Sequence, residues 1–452
     1  MKSLNTLRHN ASACFLLRSL LEQLALPCVP AWTISQGISL RLLVPNDAHC
    51  LERCSMNKPR SRKRRFAFVL LAMSFSMVLF ALVAEIGLRL AHISSPGYYQ
   101  PDPFLASTLR PGTRGWWTKE GHAWVQINSR GMHDVERTVA KPLGTLRVAV
   151  LGDSYIEAMQ VALHDNLCQQ LEHRLNQSSS APVEVLNFGV SGYGTAQQYL
   201  KLEHEAWKYD PDVVVLCLYP GNDLRNNSRD LEPEKMRPFF TMQNGELTLE
   251  NSFQSMESYL VADSQYEKWK AAIVNRSALL QFLKKLKASL SGLQPPAEQT
   301  SPVDQIRHAV EDSLYVYREP VEESQQQAWT ITEEILSKFV SSCEQKDVPA
   351  VIAVLSTSLQ AYPDEQVRQQ ICDEFNIDNQ FYAVDRLKSW AENRPVSLVD
   401  LAAPLQQYAN ANNVFLHGFE NSGLGYGHWN EHGHLEAANV LAKPIGDLLK
   451  QP

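Results

Sequence analysis

The chain has 452 residues, 44% of them hydrophobic and 20% charged, with a formal net charge of −7. That length exceeds one ordinary domain, and the composition argues against disordered, collagen-like and silk-like classes. The negative balance argues against a nucleic-acid binder, because contact with phosphates needs a basic face. The charge is also uneven: residues 1–65 carry eleven Lys/Arg and three Asp/Glu, and the rest holds 31 basic and 46 acidic groups, a net of −15.

Residues 1–55 mix short apolar pieces with Cys14, Cys28, Cys50 and Cys54 and keep no sustained period. Met56 stands just before a basic block, so the expectation is that the native protein starts there and that 1–55 is a non-native or disordered leader. Six of the eight residues Lys58–Arg65 are positive, and nineteen uncharged residues follow, Phe66 to Ala84, before Glu85. A helix of that length reaches about 28 Å, enough for a bilayer's hydrocarbon core. Residues 56–90 are therefore predicted to be an uncleaved single-pass anchor, with the basic flank cytoplasmic and everything beyond it extracytoplasmic.

Residues 91–145, rich in Pro, Gly and aromatics, are expected to form extended segments or a small β region. From 146 to 452 apolar runs alternate with helical stretches. LRVAVL (146–151) precedes a helix near 155–176, and VEVLNFGV (183–190) precedes one near 194–208. VVVLCLY (213–219), AVIAVLS (350–356) and VSLVD (396–400) continue the series, and a helix near 431–450 closes it. This alternation predicts a three-layer α/β fold with a mainly parallel sheet. An insertion at about 228–325 interrupts it. There Asn244-Gly245 signals a hairpin, a helix is expected over 255–290, and Leu293–Pro302 reads as a linker. The amphipathic piece ALLQFLKKLKASL is expected to pack on its own domain rather than on a membrane surface. Cys168, Cys217, Cys343 and Cys372 are widely spaced and read as core residues, not as a disulfide or metal framework.

Four motifs lie just beyond apolar runs or before the last helix: Gly152-Asp-Ser-Tyr155, Gly189-Val-Ser-Gly-Tyr-Gly194, Gly221-Asn-Asp223 and His428-Trp-Asn-Glu-His-Gly-His434. Loops after successive parallel strands gather along one sheet edge, so Ser154, Gly192 and Asn222 are expected to converge. Ser154 is a candidate nucleophile and His428 its base. The N–H groups of Ser154 and Gly192 and the Asn222 carboxamide are candidate donors to an oxyanion. Singly, each motif also reads as a plain turn or helix cap.

In this order the four motifs resemble the blocks of the SGNH (GDSL-like) hydrolases, over about 146–450. The resemblance implies a flavodoxin-like SGNH fold and a serine ester hydrolase or acyltransferase. It makes Ser154 the nucleophile, Ser154 N–H, Gly192 and Asn222 the oxyanion hole, and His428 the base, with no metal or organic cofactor. INSRGMHDVE and HWN-x-x-GH are similar to membrane-anchored members, among them enzymes that move acetyl groups on exported polysaccharides. An acylated carbohydrate or envelope component is the expected partner, beside the bilayer; Tyr155, Tyr193 and Trp429 are candidates to stack on sugar rings, with core packing an equally good reading of such aromatics.

The pattern departs from the family at one place. The acid usually found two or three residues before the histidine is replaced by Gly425 and Tyr426. Either Glu420 folds back along Gly423, Gly425 and Gly427, or a backbone carbonyl serves, or the site is a Ser–His dyad. Two further alternatives stand beside ester chemistry: a catalytically weak glycan-binding protein of the same fold, and a zinc hydrolase using His428 and His432 of H-x-x-E-H on one helical face.

Overall fold

The computed structural model describes residues 62–291 and 301–450. The expectations for residues 1–55, the start of the basic block and most of the Leu293–Pro302 linker lie outside the described residues. The chain divides into two compact units, 1–68 and 69–452. The described part of the first is the opening of helix α1, Arg62–Leu90, whose apolar residues run all round with no polar face. It is long and apolar enough to cross a membrane, and none of its residues is buried in the protein.

Two small antiparallel pairs follow: β1 (Tyr99–Asp102) with β2 (Ala106–Leu109), and β3 (Arg114–Trp117) with β4 (Ala123–Gln126). The main series is β5 (Leu146–Leu151), α2 (Ser154–Glu157), α3 (Leu167–Ser178), β6 (Val183–Asn187), α4 (Thr195–His204), β7 (Val213–Leu218) and α5 (Asp223–Asn227). The insertion holds the hairpin β8 (Phe239–Gln243) and β9 (Glu246–Glu250), turned at Asn244-Gly245. Three helices follow in it, α6 (Glu257–Asp263), α7 (Gln265–Val274) and α8 (Ala278–Ser291), and then α9 (Pro302–Asp312). The series resumes with α10 (Glu323–Gln345), β10 (Ala350–Val354), α11 (Glu365–Phe375), α12 (Tyr382–Ala391), β11 (Val396–Asp400) and α13 (Ala402–Asn412). It ends in the hairpin β12 (His417–Phe419) and β13 (Gly423–Trp429) and the closing helix α14 (Glu431–Leu448).

The central sheet has five strands in the order β11-β10-β7-β5-β6, and every pairing is parallel. Numbered by chain position this is 2-1-3-4-5, the flavodoxin-like order, whose switch point lies between β5 and β7. Burial on both faces explains why the strands read as unbroken apolar runs. Ala149, Leu151, Leu216 and Ile352 pack with Trp329 and Phe339 of α10 on one side. Val148, Val150, Val215 and Val351 pack with Leu171 of α3 and Leu441 of α14 on the other. This period of two divides the strand residues between two cores and makes the three layers; each fully buried Val or Leu contributes about 1.5–3 kcal/mol. Cys168, Cys217, Cys343 and Cys372 are free and buried, as core residues should be.

Two expected helices are divided. The one near 155–176 stops after a single turn, because Ala158 takes a left-handed conformation (φ 53°), and it restarts only where Asn166 caps α3 by accepting from Gln169 N–H. The one over 255–290 is three helices. Ser264 ends the first and caps the second, and residues 275–277 separate the second from the third.

Candidate active site

β5 and β7 flank the switch point, and each delivers one functional residue from its carboxyl end. After β5, Asp153 caps α2 by accepting from Tyr155 N–H at 2.9 Å, which sets Ser154 at the first helical position. The N–H of such a residue has no carbonyl four residues back and stays available to a ligand. After β7, the Asn222 amide donates to the second oxygen of Asp153 at 3.0 Å. One carboxylate thus aligns both the serine turn and the asparagine. The other amide hydrogen of Asn222 remains, and its carbonyl oxygen has no partner among the described residues.

His428 arrives on β13. Its Nε2 lies 2.8 Å from Ser154 Oγ. Its Nδ1 lies 2.5 Å from Glu120 Oε2, and its backbone N–H donates to Glu120 Oε1 at 2.7 Å. Glu120 sits in the turn between β3 and β4, and the gripped Nδ1 leaves Nε2 to accept from the serine hydroxyl. Gly427, with φ +102°, makes room for the contact: a Cβ there would stand 2.1 Å from Glu120 Oε1. The acid on His428 is therefore Glu120 and not Glu420, which lies exposed in the β12–β13 turn. Gly423, Gly425 and Gly427 do not fold Glu420 back; Gly427 clears space for a carboxylate from the other end of the domain.

Burial disfavours charge on both partners, but their mutual hydrogen bond and attraction outweigh it. His428 titrates above an ordinary histidine and Glu120 below an ordinary glutamate. Behind them, Tyr155 OH donates to Gly427 C=O at 3.0 Å, and the ring centroids of Tyr155 and His428 stand 5.1 Å apart. His417 also reaches Gly427 C=O through Nδ1 at 2.8 Å, and burial holds this histidine down to about 4, so it stays neutral.

Gly192, with φ +77°, lies in the loop after β6, and its N–H finds no partner among the described residues. That loop is fixed by Glu157, a residue sequence reasoning did not single out. The Glu157 carboxylate accepts from Ser191 N–H at 3.1 Å, from Ser191 Oγ, and from Tyr99 OH at 3.0 Å. Burial pushes it up to about 7 against the pull of these donors. The INSRGMHDVE stretch fastens the small β region below: His133 Nδ1 donates to Glu157 C=O at 2.7 Å, and Asp134 pairs with Arg137 at 3.0 Å.

Ser154, Asn222 and His428 open on a cavity of about 300 Å³, and Gly192 and Glu420 are not in its wall. Ser313, Tyr317, Thr357 and Ser358 line it with hydroxyl groups, Arg225 and Asp312 add one charge of each sign, and α9 supplies Ile306 and Val310. Of the aromatics expected to meet a sugar ring, only Tyr155 reaches the cavity. Tyr193 and Trp429 are buried, their polar tips bound to Ser107 C=O and Ser356 Oγ. The zinc arrangement needs His428 and His432 on one helical face, but His428 ends a strand and His432 lies in the first turn of α14, where Asn430 caps its N–H. Among the described residues no three His, Cys, Asp or Glu side chains are grouped as metal ligands.

No family model and no curated protein matches the chain. Solved structures similar to it include a lipolytic protein of the G-D-S-L family, described as putative, from Desulfitobacterium hafniense (11% identity, TM-score 0.30, 66% of this chain and 98% of that one). An acetyl xylan esterase, AlAXEase, gives 12% identity and a TM-score of 0.32 over 66% of this chain and 100% of its own. A catalytic mutant of an acetylxylan esterase from Geobacillus stearothermophilus gives 10% and 0.32 over 68% and 95%. At this level of likeness, fold and site rest on the chain's own sheet order and geometry.

Proposed function

We propose that this chain is a serine ester hydrolase or O-acyltransferase of the SGNH type, acting on an acyl ester of a carbohydrate or envelope component outside the membrane that α1 crosses. The observation that carries the chemistry is the continuous relay Glu120–His428–Ser154, with contacts of 2.5 and 2.8 Å, at the mouth of a cavity shared with Asn222. A serine is a weak nucleophile until a base takes its proton, and a base oriented by a third group is what such a relay provides.

His428 Nε2 takes the Ser154 proton as Oγ attacks the ester carbonyl. The tetrahedral oxyanion is held by Ser154 N–H and the Asn222 amide, donors fixed before the charge develops, and the family resemblance adds Gly192 N–H from the loop after β6, outside the cavity wall. The C–O bond to the alcohol then breaks, and His428 returns the proton to the leaving oxygen. The acyl group stays on Ser154 until water or a sugar hydroxyl repeats the sequence in reverse. Hydroxyl groups lining the cavity favour a polyol over a long apolar chain. Glu120 beside His428 supports an enzyme with an oriented base over a glycan binder of the same fold.

The Ser154→Ala variant tests the reading. It should lose turnover of a short-chain ester while its circular dichroism and melting curve stay those of the parent. Normal turnover in that variant would show that the nucleophile lies elsewhere.

A further inference from the structure

The helices of the insertion are fastened to the end of α1. Glu85, the first charged residue after the nineteen uncharged ones, accepts from Ala278 N–H at 3.0 Å, Leu279 N–H at 2.9 Å and Ser277 Oγ at 2.9 Å. It thereby caps α8. Arg89, one turn on, donates to Arg276 C=O at 2.7 Å. In the exit segment, Ser95 N–H donates to Gln281 at 2.8 Å, and Gly97 exchanges bonds of 2.9 Å with Asn275 in both directions. A carboxylate at the edge of an apolar span marks the boundary of the hydrocarbon, so α8 begins at that boundary.

These helices show both apolar and basic side chains to the outside, and on α7 Lys270 lies over the Tyr266 ring. On α7, Tyr266 and Trp269 are 66% and 64% exposed, and Ile273 shares their face at spacings of three and four. On α8, Phe282, Leu283 and Leu286 repeat that spacing and are all exposed. The stretch packs on its own chain through Ala278 and Gln281, its buried members with described side chains, and leaves the other face exposed. The charge is opposite to that of the surrounding protein. Residues 265–291 hold six Lys/Arg and one acid, within a chain that is net −15 beyond residue 65. An amphipathic helix with aromatic and leucine residues on one face and lysines on the other lies in the plane of a membrane interface.

We infer that α7 and α8 form a second, in-plane membrane contact, seated on the anionic phospholipid surface from which α1 emerges. This rests on the reading of α1 as a membrane span. The occupant is set by continuity, since the same carboxylate ends the span and starts α8, and by charge, since lysines meet lipid phosphates. Trp116 N–H bonds Ser94 Oγ of the exit segment at 3.1 Å, and the hairpin that holds Trp116 carries Glu120 in its turn, so the exit segment is tied to the part of the chain that holds His428.

The test uses the full chain in nanodiscs of phosphatidylcholine and phosphatidylglycerol doped with a phosphatidylglycerol carrying a photoactivatable group high on its acyl chain. After irradiation, labelled peptides should come from both Phe66–Leu90 and residues 265–286. In a Trp269→Asp, Phe282→Asp, Leu286→Asp variant, the label on 265–286 should disappear while that on α1 stays. Label on α1 alone in the parent protein overturns the in-plane contact and leaves the span intact. Label on neither overturns both.

Discussion

Glu120 decides which tautomer His428 offers to Ser154. Glu120→Gln keeps the shape of the acid and removes its charge, and by analogy with other triads it should lower turnover by about 10²–10⁴-fold. Glu420→Gln should leave turnover unchanged, because that side chain is exposed and Glu120 already holds Nδ1 of the imidazole. The pH profile tests the same pair. His428 must be neutral to accept a proton, and its upward shift means that the rate rises with pH through a midpoint above that of an ordinary histidine. In Glu120→Gln the partner charge is gone, burial is opposed only by the weaker pull of Asp153 and Glu157, and the midpoint should move to lower pH. An unmoved midpoint would mean that another group governs the profile. Ser154, Asn222 and His428 were legible because each lies beside a strand end in a short motif. Glu120 was not: it stands 308 residues before its partner in a Lys-Glu-Gly turn, and no spacing rule connects the two.

At the scale of elements, the β12–β13 hairpin is shaped to receive that carboxylate. Gly427→Ala adds a methyl 2.1 Å from Glu120 Oε1 at a φ of +102°. It should cost about 1–3 kcal/mol of stability for the backbone strain and displace the acid. A denaturant midpoint together with a turnover assay would show both losses, and a variant as active as the parent would mean that Glu120 is not needed where it lies. The five parallel strands could be read from their apolar runs, since a strand buried on both faces shows no alternation. The broken helices could not. Ala158 in a left-handed conformation carries no sequence signal, and Ser264 looks like any helix serine until its cap is seen. For Tyr193 and Trp429 the sequence left stacking and core packing both open, because an aromatic beside a motif faces the core as readily as the site, and both pack in the core.

For the whole molecule, the proposed topology rests on one apolar helix among the described residues, a basic flank before it and an acidic domain beyond it. Protease added to intact spheroplasts should digest the bulk of the chain, and protection of residues beyond 90 would reverse the orientation. The sheet order 2-1-3-4-5 brings the ends of β5 and β7 to one crevice, and the small β pairs between α1 and β5 reach over to supply the third member of the relay. The alternation of strands and helices foretold the crevice, but the contribution of the β3–β4 hairpin depends on tertiary packing that no local pattern encodes. The central claim is that Ser154 is a nucleophile activated by His428 and Glu120. It is tested most directly by treating the full chain with a fluorophosphonate and locating the adduct by peptide mass. One adduct on Ser154 is predicted, absent in Ser154→Ala and formed more slowly in Glu120→Gln; an unlabelled Ser154, or an adduct on another serine, would contradict it.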